Sequence, residues 1–236
     1  MKTPRLEPSS VAGRPALTVC LRPLRPGDEH AAVRWAANPL FCRAADWAQG
    51  LSPRVVQRHW LGLIHAHQPD FLRLGVEWQG RMVGYVDLAH LSAHEGEFGI
   101  GIGESDLWGQ GVGRQAGRLL LQFAFEELGL ERVSASVHAP NTRSLALMRR
   151  LGFRELGPGE PETYQGKLVP VIWFEIRRAE WSRPRLPGLK SDTVLIRFPN
   201  IRKVAGCPSI SLKPYFFHAL RAILRPDMSG TQFEIV

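Results

Sequence analysis

Apolar and polar positions alternate in three neighbouring stretches near the middle of the chain. Residues 71–78, 81–91 and 97–103 have the pattern of strands, and Gln79-Gly80 between the first two is typical of a two-residue hairpin turn. Strands joined by such short loops pair antiparallel, because a parallel pair needs a crossover of about a dozen residues. The pattern therefore predicts an antiparallel meander.

On both sides of the meander the period lengthens to roughly 3.6 residues, which is typical of helices. Helices are predicted from the turn at 26–28 to Ala36 and over 52–67, 114–130 and 140–151. Further strands are predicted over 16–24, 133–138, 153–156 and 168–176. The order is β α α β β β α β α β β. It predicts an α+β (mixed α/β) protein with a mostly antiparallel mixed sheet flanked by helices.

The two ends of the chain differ in composition from the part between them. Residues 1–15 are rich in Pro, Ser and Gly and are expected to form a flexible leader, and residues 16–181 to form one domain. The net charge is +8, and most of the excess lies in residues 182–236, which hold 9 Lys and Arg against 3 Asp and Glu. We expect this basic tail to be disordered or loosely structured, with a strand near 194–198 and a helix near 215–224 as weaker predictions.

Composition narrows the candidate chemistry further. Three cysteines, Cys20, Cys42 and Cys207, lie far apart and without the companion residues of a zinc site, so we expect no metal and a reducing compartment. No apolar run approaches the ~20 residues that cross a bilayer. A cytoplasmic protein without a membrane partner is the expectation. The basic tail leaves binding to RNA or to the ribosome open.

The sequence Trp108-Gly-Gln-Gly-Val-Gly-Arg114 stands between a predicted strand and a predicted helix. Glycines let backbone N–H groups converge on one point, and the helix N-terminus adds positive charge, so the stretch is suited to a pyrophosphate. A Walker A loop is excluded, because no Gly-Lys-Ser/Thr follows at the required spacing. A dinucleotide-binding loop would need a parallel βαβ unit. A glycine-rich turn without a ligand is the remaining alternative.

Residues 17–181 resemble the GNAT superfamily of acetyl-CoA-dependent N-acetyltransferases, and more narrowly the branch typified by the ribosomal-protein acetyltransferases RimJ and RimL. The superfamily loop, Gln/Arg-x-x-Gly-x-Gly/Ala, is matched by residues 108–113, with Trp108 in place of Gln/Arg. A downstream element of the superfamily is matched by Asn141, Ser144 and Leu151-Gly152-Phe153. The resemblance implies the GNAT fold, with its sheet splayed at the fourth strand.

The resemblance also implies where acetyl-CoA, the co-substrate, would bind. The pantetheine arm would lie along the splayed strand, where Gly99, Gly101 and Gly103 would allow close approach, and the thioester carbonyl would lie near the N–H groups of Ile102 and Gly103. Asn141 would bind the arm or simply cap its helix. The implied cofactor-binding residues are Ile102, Gly109, Gln110, Gly111, Val112, Gly113, Arg114 and Asn141.

For catalysis the resemblance implies a general base and a group near the departing thiolate. Glu97 is the first candidate base, and Glu104 and His138 are the alternatives. Many members carry a tyrosine where this chain has Met148, so Ser144 is the candidate that protonates or orients the thiolate. Asp87, His90, Trp47, Trp60 and Tyr164 lie on elements that line the acceptor groove in relatives, although ordinary packing explains each aromatic side chain equally well.

The expected acceptor is a protein N-terminal amine. A small amine such as a polyamine, an amino acid or an aminoglycoside is the enzymatic alternative. A catalytically silent acyl-CoA-binding module is the alternative from another class of protein. A homodimer and an association with the ribosome both stay open.

Overall fold

The computed structural model describes residues 19–65 and 68–181, and nine strands lie within them. The strands are β1 (Val19–Pro23), β2 (Leu72–Trp78), β3 (Arg81–Ala89), β4 (Glu95–Ile102), β5 (Arg132–His138), β6 (Arg154–Pro158), β7 (Glu162–Tyr164), β8 (Lys167–Val169) and β9 (Val171–Arg177). Seven of them form one sheet in the order β1-β2-β3-β4-β5-β9-β6, and β7 pairs with β8. This is the predicted mixed architecture.

Five α-helices are described with the strands. They are α1 (Glu29–Ala36), α2 (Pro39–Ala45), α3 (Pro53–His65), α4 (Val112–Gln122) and α5 (Thr142–Leu151). A π-helical turn, Phe123–Glu127, continues α4. None of the helices in the described part of the chain is long and apolar enough to span a membrane.

The predicted hairpin at Gln79-Gly80 is confirmed, and its conformation explains its sequence. Both residues have positive φ, 50° at Gln79 and 76° at Gly80, which is the backbone that a two-residue hairpin turn requires. β2 and β3 pair antiparallel, as do β3 and β4, so the predicted meander is also confirmed.

The sheet opens between β4 and β5, the only parallel pair of strands among the described residues. Their pairing runs only from Glu95 to Glu97 on β4 and from Arg132 to Ser134 on β5. Beyond it β4 stays paired with β3, and β5 stays paired with β9 as far as His138. The predicted splay at the fourth strand is therefore confirmed, and it leaves a gap between the two halves of the sheet.

Each face of the sheet has its own core. On one face α4 and α5 pack apolar side chains against the strands, with Leu120, Leu121 and Phe174 fully buried. The opposite face, under α1, α2 and α3, holds an aromatic cluster of Trp35, Phe41, Trp47, Trp60 and Tyr85.

Two elements differ from the predicted order. The pattern did not predict α2, whose seven residues are too short to show a helical period, or the three-residue strand β7. The single strand predicted over 168–176 is divided at Pro170 into β8, which pairs with β7, and β9. The leader 1–15 and the tail 182–236 lie outside the described residues. The weaker predictions at 194–198 and 215–224 therefore stay predictions.

Candidate active site

A groove of about 370 Å³ runs from the N-terminus of α4 to the gap between β4 and β5. Its walls come from β4, α2, α5 and the glycine-rich loop, which are far apart in the sequence. The residues that line it include Phe41, Ala44, Ile100, Ile102, Trp108, Gly109, Gly111, Gly113, Arg114, Asn141, Arg143, Ser144, Leu147 and Arg150. Most of the predicted cofactor-binding residues are thus brought together along one groove.

The glycine-rich loop supplies backbone donors at one end of this groove. Gly109 and Gly111 have φ of 79° and 89°, a conformation that favours glycine, with open space beside both. The first helical hydrogen bond of α4 joins Gln115 N–H to Gly111 O, so the N–H groups of the three residues before Gln115 precede the helical ladder. A helix N-terminus of this kind is suited to binding phosphate.

Two of the predicted loop residues do not face the groove with their side chains. The Gln110 amide donates a hydrogen bond to Asp106 O at 2.7 Å, and Val112 is buried in the core beneath α4. Their backbone groups remain part of the loop. A role for Gln110 or Val112 in cofactor binding stays a prediction.

The mouth of the groove carries positive charge. Arg114, Arg143 and Arg150 line it, and none of the three forms an ion pair within the described part of the chain. The pKa of the neighbouring Arg118 is lowered mainly by burial and further by the positive charge of Arg114. The mouth therefore favours a polyanion.

Trp108 connects the loop to both walls of the groove. Its indole N–H donates to Ile102 O at 2.8 Å, and the guanidinium of Arg143 lies 4.0 Å from the centre of its ring. The tryptophan that replaces Gln/Arg in the superfamily loop thus holds the end of β4 next to α5. The sequence motifs did not indicate Arg143 and Arg150, although a spacing of seven residues places both on one face of α5.

A second cavity, of about 170 Å³, occupies the gap between the splayed strands. It shares Ala44, Ile100, Asn141 and Ser144 with the groove, so the two spaces adjoin. Ser144 lies where they meet. Met148, buried and without a proton to donate, lines the second cavity on the α5 side.

The side chain of Asn141 is engaged at both ends. Its Oδ1 accepts a hydrogen bond from Ser144 N–H at 3.2 Å and caps α5, and its Nδ2 donates to Ala44 O at 3.1 Å on α2. Asn141 therefore caps its helix, which is one of the two roles expected for it. Binding of the cofactor arm by Asn141 stays a prediction.

The expected donor for the thioester oxygen needs a correction. The N–H of Gly103 donates to Val83 O on β3 at 2.9 Å, so it is not free for a ligand. Backbone groups alternate in direction along a strand, so the N–H groups of Ile102 and Ile100 point to the other side, into the gap. Ile102 stays a predicted donor to the thioester oxygen, and Ile100 replaces Gly103 in that prediction.

The glycines of β4 have a structural role that the sequence did not show. A Cβ at Gly101 would lie 2.6 Å from the Tyr85 ring, and one at Gly103 would lie 2.2 Å from the Trp35 ring. A Cβ at Gly99 would meet the Asp87 side chain at 3.2 Å. The glycines therefore make room for side chains on the face opposite α4. Gly101 also lines the groove and Gly99 the second cavity described above, so close approach of a ligand arm at these glycines stays a prediction.

The contact of Gly101 with Tyr85 predicts the effect of Gly101→Ala. The added methyl must displace Tyr85, so we expect the free energy of unfolding to fall by about 1–3 kcal/mol, the usual cost of overpacking. Chemical denaturation measures it. Gly113→Ala is the matched control, since its Cβ would lie 3.6 Å from Ile102, an ordinary contact. A Gly101→Ala protein of unchanged stability that loses affinity for acetyl-CoA would restore the earlier explanation.

Glu97 lies at the point where β4 and β5 part. Its Oε1 accepts a hydrogen bond from Ser136 Oγ at 2.7 Å, and His90 Nε2 lies 3.8 Å from its Oε2. His90 has a φ of 48°, rare for a residue with a side chain. Glu97 is partly exposed and does not line either cavity, whereas Ser136 lines the second one.

The alternative bases have other partners. Glu104 accepts a hydrogen bond from the Trp35 indole at 3.3 Å and forms an ion pair with Arg34. His138 lines the second cavity, stacks on Tyr164 with ring centres 4.6 Å apart, and lies 3.5 Å from a carboxylate oxygen of Glu162. Of the two, only His138 lies in the gap.

Two of the residues named for the acceptor side belong to the interior of the protein. Asp87 is buried and receives two hydrogen bonds of 2.7 Å from Arg73, whose guanidinium lies 4.3 Å from the centre of the Tyr85 ring. Burial raises the pKa of Asp87, against the opposing effect of Arg73, and raises that of Tyr85 to about 12. Trp60 is a core residue.

The C-terminus of α2 is held by groups from two other elements. Tyr164 O–H donates to Arg43 O at 3.1 Å, and the Gln165 side chain donates to the same oxygen at 2.8 Å. With the bond from Asn141, these contacts fix α2 against the cavities. The sequence indicated Tyr164 only as a candidate for the acceptor side and did not show its contact with α2.

Within residues 19–65 and 68–181, no group of three or more His, Cys, Asp or Glu is arranged to hold a metal ion. A metal-free reaction stays a prediction.

A glycine loop at a helix N-terminus, beside a splayed parallel pair of strands, is typical of proteins that bind an extended, phosphorylated ligand. Residues 18–154 match the sequence model of the family described as Acetyltransferase (GNAT) domain. The chain belongs to this family, and the resemblance drawn from its motifs is confirmed.

Two curated relatives are similar in sequence to part of this chain. The protein named "Putative ribosomal N-acetyltransferase YdaF" of Bacillus subtilis is 29% identical over 113 residues, which is 47% of this chain and 61% of that protein. The uncharacterized N-acetyltransferase p20 of Bacillus licheniformis is 31% identical over 36% of this chain and 48% of its own length. The alignments thus span less than two thirds of either relative.

Solved structures have the same fold. A spermidine N-acetyltransferase from Vibrio cholerae in complex with CoA and spermine aligns with a TM-score of 0.60 and 23% identity, over 69% of this chain and 97% of that one. A GNAT-family acetyltransferase from Bacillus anthracis aligns with a TM-score of 0.61 and 16% identity, over 70% of this chain and 98% of that one. These likenesses confirm the GNAT fold.

Proposed function

We propose that this protein is an N-acetyltransferase that transfers the acetyl group of acetyl-CoA to a primary amine. One observation carries the proposal: a groove runs from the N-terminus of α4, which is suited to phosphate, into the gap between two splayed strands. Such a groove fits a ligand with anionic groups at one end and a thin reactive arm at the other. The family membership and the CoA in the Vibrio cholerae neighbour support the same ligand.

Each part of acetyl-CoA has a counterpart in the chain. Arg114, Arg143 and Arg150 supply cations for the phosphates, and the N–H groups at the start of α4 supply hydrogen-bond donors for the pyrophosphate. The free backbone edge of β4 offers pairing to the amide groups of the arm. Ile100 and Ile102 point N–H groups into the gap, where an oxyanion would be stabilised.

The transfer needs two proton movements. Glu97 is proposed to take the first proton, from the ammonium form of the acceptor, so that the neutral amine can attack the thioester carbonyl. The C–N bond then forms and the C–S bond breaks. Ser144, at the junction of the two cavities, is proposed to guide the second proton from nitrogen to the departing thiolate, because Met148 cannot.

We propose a protein N-terminal amine as the acceptor. The name of the Bacillus subtilis relative refers to a ribosomal acceptor. A polyamine carries several positive charges and needs several free carboxylates, whereas Asp87 is already neutralised by Arg73. The edge of β5 that faces the gap is not paired with β4 beyond Ser134, and such an edge suits an extended peptide.

An acceptor screen tests this proposal. The full chain is incubated with acetyl-CoA and either peptides with free N-termini, spermidine or an aminoglycoside, and thiol release and the acetylated product are measured. We expect peptides to give the highest kcat/KM. Faster turnover with spermidine would overturn the choice of acceptor, and binding of acetyl-CoA without transfer to any amine would support a silent binding module.

The proposed acetyltransferase domain spans residues 16–181. We therefore expect a chain truncated after Trp181 to keep the acetyl-CoA affinity of the full protein, because the described residues that line the groove all precede this point. Calorimetric titration of both chains measures it. A truncated chain that fails to fold would show that the boundary is wrong.

A further inference from the structure

We propose that Ser136 is a proton relay between the acceptor amine and Glu97. The inference rests on the proposed function, in which Glu97 is the base. Ser136 lies on β5, outside the motifs that identify the family, and joins a carboxylate outside the cavity to the cavity itself.

A relay is needed because the proposed base does not itself line the cavity in the gap. Ser136 lines the cavity of about 170 Å³ between the splayed strands, and Glu97 does not. The two side chains are joined by the hydrogen bond of 2.7 Å from Ser136 Oγ to Glu97 Oε1. An amine in the cavity thus has a path to the carboxylate through the hydroxyl.

The register of the two strands shows that this contact is specific. Glu97 stands opposite Ser134 in the last parallel pair before the strands part. Ser136 is two residues further along β5, on the same face of the strand, and its hydroxyl binds Glu97 across the start of the gap. Ser134, which does not line the cavity, is therefore a matched control on the same strand.

Other charged groups near Glu97 are engaged elsewhere or lie further away. His90 faces the second carboxylate oxygen from the end of β3, at 3.8 Å. Glu95 is paired with Arg132, Asp87 with Arg73, and His138 lies near Glu162. Ser136 is the group with a short hydrogen bond to Glu97 among the described residues.

Two protons leave the acceptor nitrogen during the transfer. The ammonium gives one proton to Ser136 Oγ, and the Ser136 O–H proton moves to Glu97 Oε1, which leaves a neutral amine and a neutral carboxyl group. The amine attacks the thioester carbonyl, the C–N bond forms, and the C–S bond breaks. The second nitrogen proton goes to the thiolate, and Glu97 later releases its proton to water.

The test compares five full-length variants, one of which is Glu97→Gln, using acetyl-CoA and the best acceptor from the screen. Ser136→Ala is expected to lower kcat about 10-fold or more, which is less than the loss of about 10²-fold expected without the base because Glu97 is still present, with an unchanged Kd for acetyl-CoA. Ser136→Thr keeps a hydroxyl, and because Ser136 is exposed the added methyl has room, so it is expected to restore kcat. Ser134→Ala is expected to match the natural chain. Ser136→Ala combined with Glu97→Gln is expected to be no slower than Glu97→Gln alone, because both lie on one path.

Three outcomes would overturn the relay while leaving the acetyltransferase intact. They are a natural kcat in Ser136→Ala, a Ser136→Thr protein as slow as Ser136→Ala, and a double variant slowed by the product of the two single effects. Absence of acetyl transfer by the natural chain would instead overturn the proposed function. The thermal unfolding midpoint of Ser136→Ala, expected to be unchanged, excludes a merely structural effect.

Discussion

The Gly113→Asp protein is expected to bind acetyl-CoA about 100-fold more weakly than the natural chain, or not at all. Gly113 is in the first turn of α4 and lines the groove, and its φ is ordinary, so the variant should fold without backbone strain. A carboxylate there would lie near the pyrophosphate. Two like charges about 4 Å apart repel by about 4 kcal/mol near a protein surface. Equilibrium dialysis with acetyl-CoA measures the Kd.

Two variants separate charge from other effects. Gly113→Ala adds only a methyl in ordinary contact with Ile102 and should bind nearly as the natural chain does. Gly62→Asp adds the same charge on α3, where open space surrounds the position, and should leave the Kd unchanged. Equal affinity of Gly113→Asp and Gly62→Asp would mean that the pyrophosphate does not bind at the start of α4.

The Glu97→Gln protein is expected to keep its affinity for acetyl-CoA and to lose kcat by about 10²-fold or more, which is the lower end of general-base effects. Glutamine preserves the size of the side chain but cannot take a proton. Steady-state thiol release with the best acceptor measures kcat.

Glu95→Gln is the control for this prediction. Glu95 lies two residues earlier on the same strand and forms an ion pair with Arg132 at the partly exposed start of β4. Its loss should affect stability slightly and kcat not at all. If Glu97→Gln kept the natural kcat, His138, which lies in the cavity, would become the stronger candidate base.

Local signals in the sequence were enough to predict most of the sheet. The turn Gln79-Gly80 and the alternation around it predicted the meander, and Gly129 and Gly152 have the positive φ expected where helices end. The glycine loop and the Asn141 element predicted the family. In each case the residues that form the feature and the residues that explain it lie in one short stretch of the sequence.

The groove walls could not be predicted in the same way. α2 is short, although Asn38-Pro39 at its start repeats the pattern of Ser52-Pro53 at the start of α3, a capping residue followed by proline. The turn of the hairpin between β7 and β8, Gln165-Gly166, repeats the dipeptide of the first hairpin, and both residues again have positive φ. These signals were present but stood beside elements too short to show a period.

Contacts across the sheet were beyond the reach of the sequence. The reason for Gly101 and Gly103 lies in Tyr85 and Trp35, which belong to other elements. The bond between Glu97 and Ser136 joins residues 39 positions apart and depends on where two strands part. Register and splay are set by the whole sheet, so no spacing along the chain shows them.

The most direct test of the central claim is a calorimetric titration of the full natural chain with acetyl-CoA. We expect saturable binding of one acetyl-CoA per chain, with Gly62→Asp titrating in the same way and Gly113→Asp giving little or no heat. Absence of binding to the natural chain would contradict both the acetyltransferase proposal and the silent-module alternative.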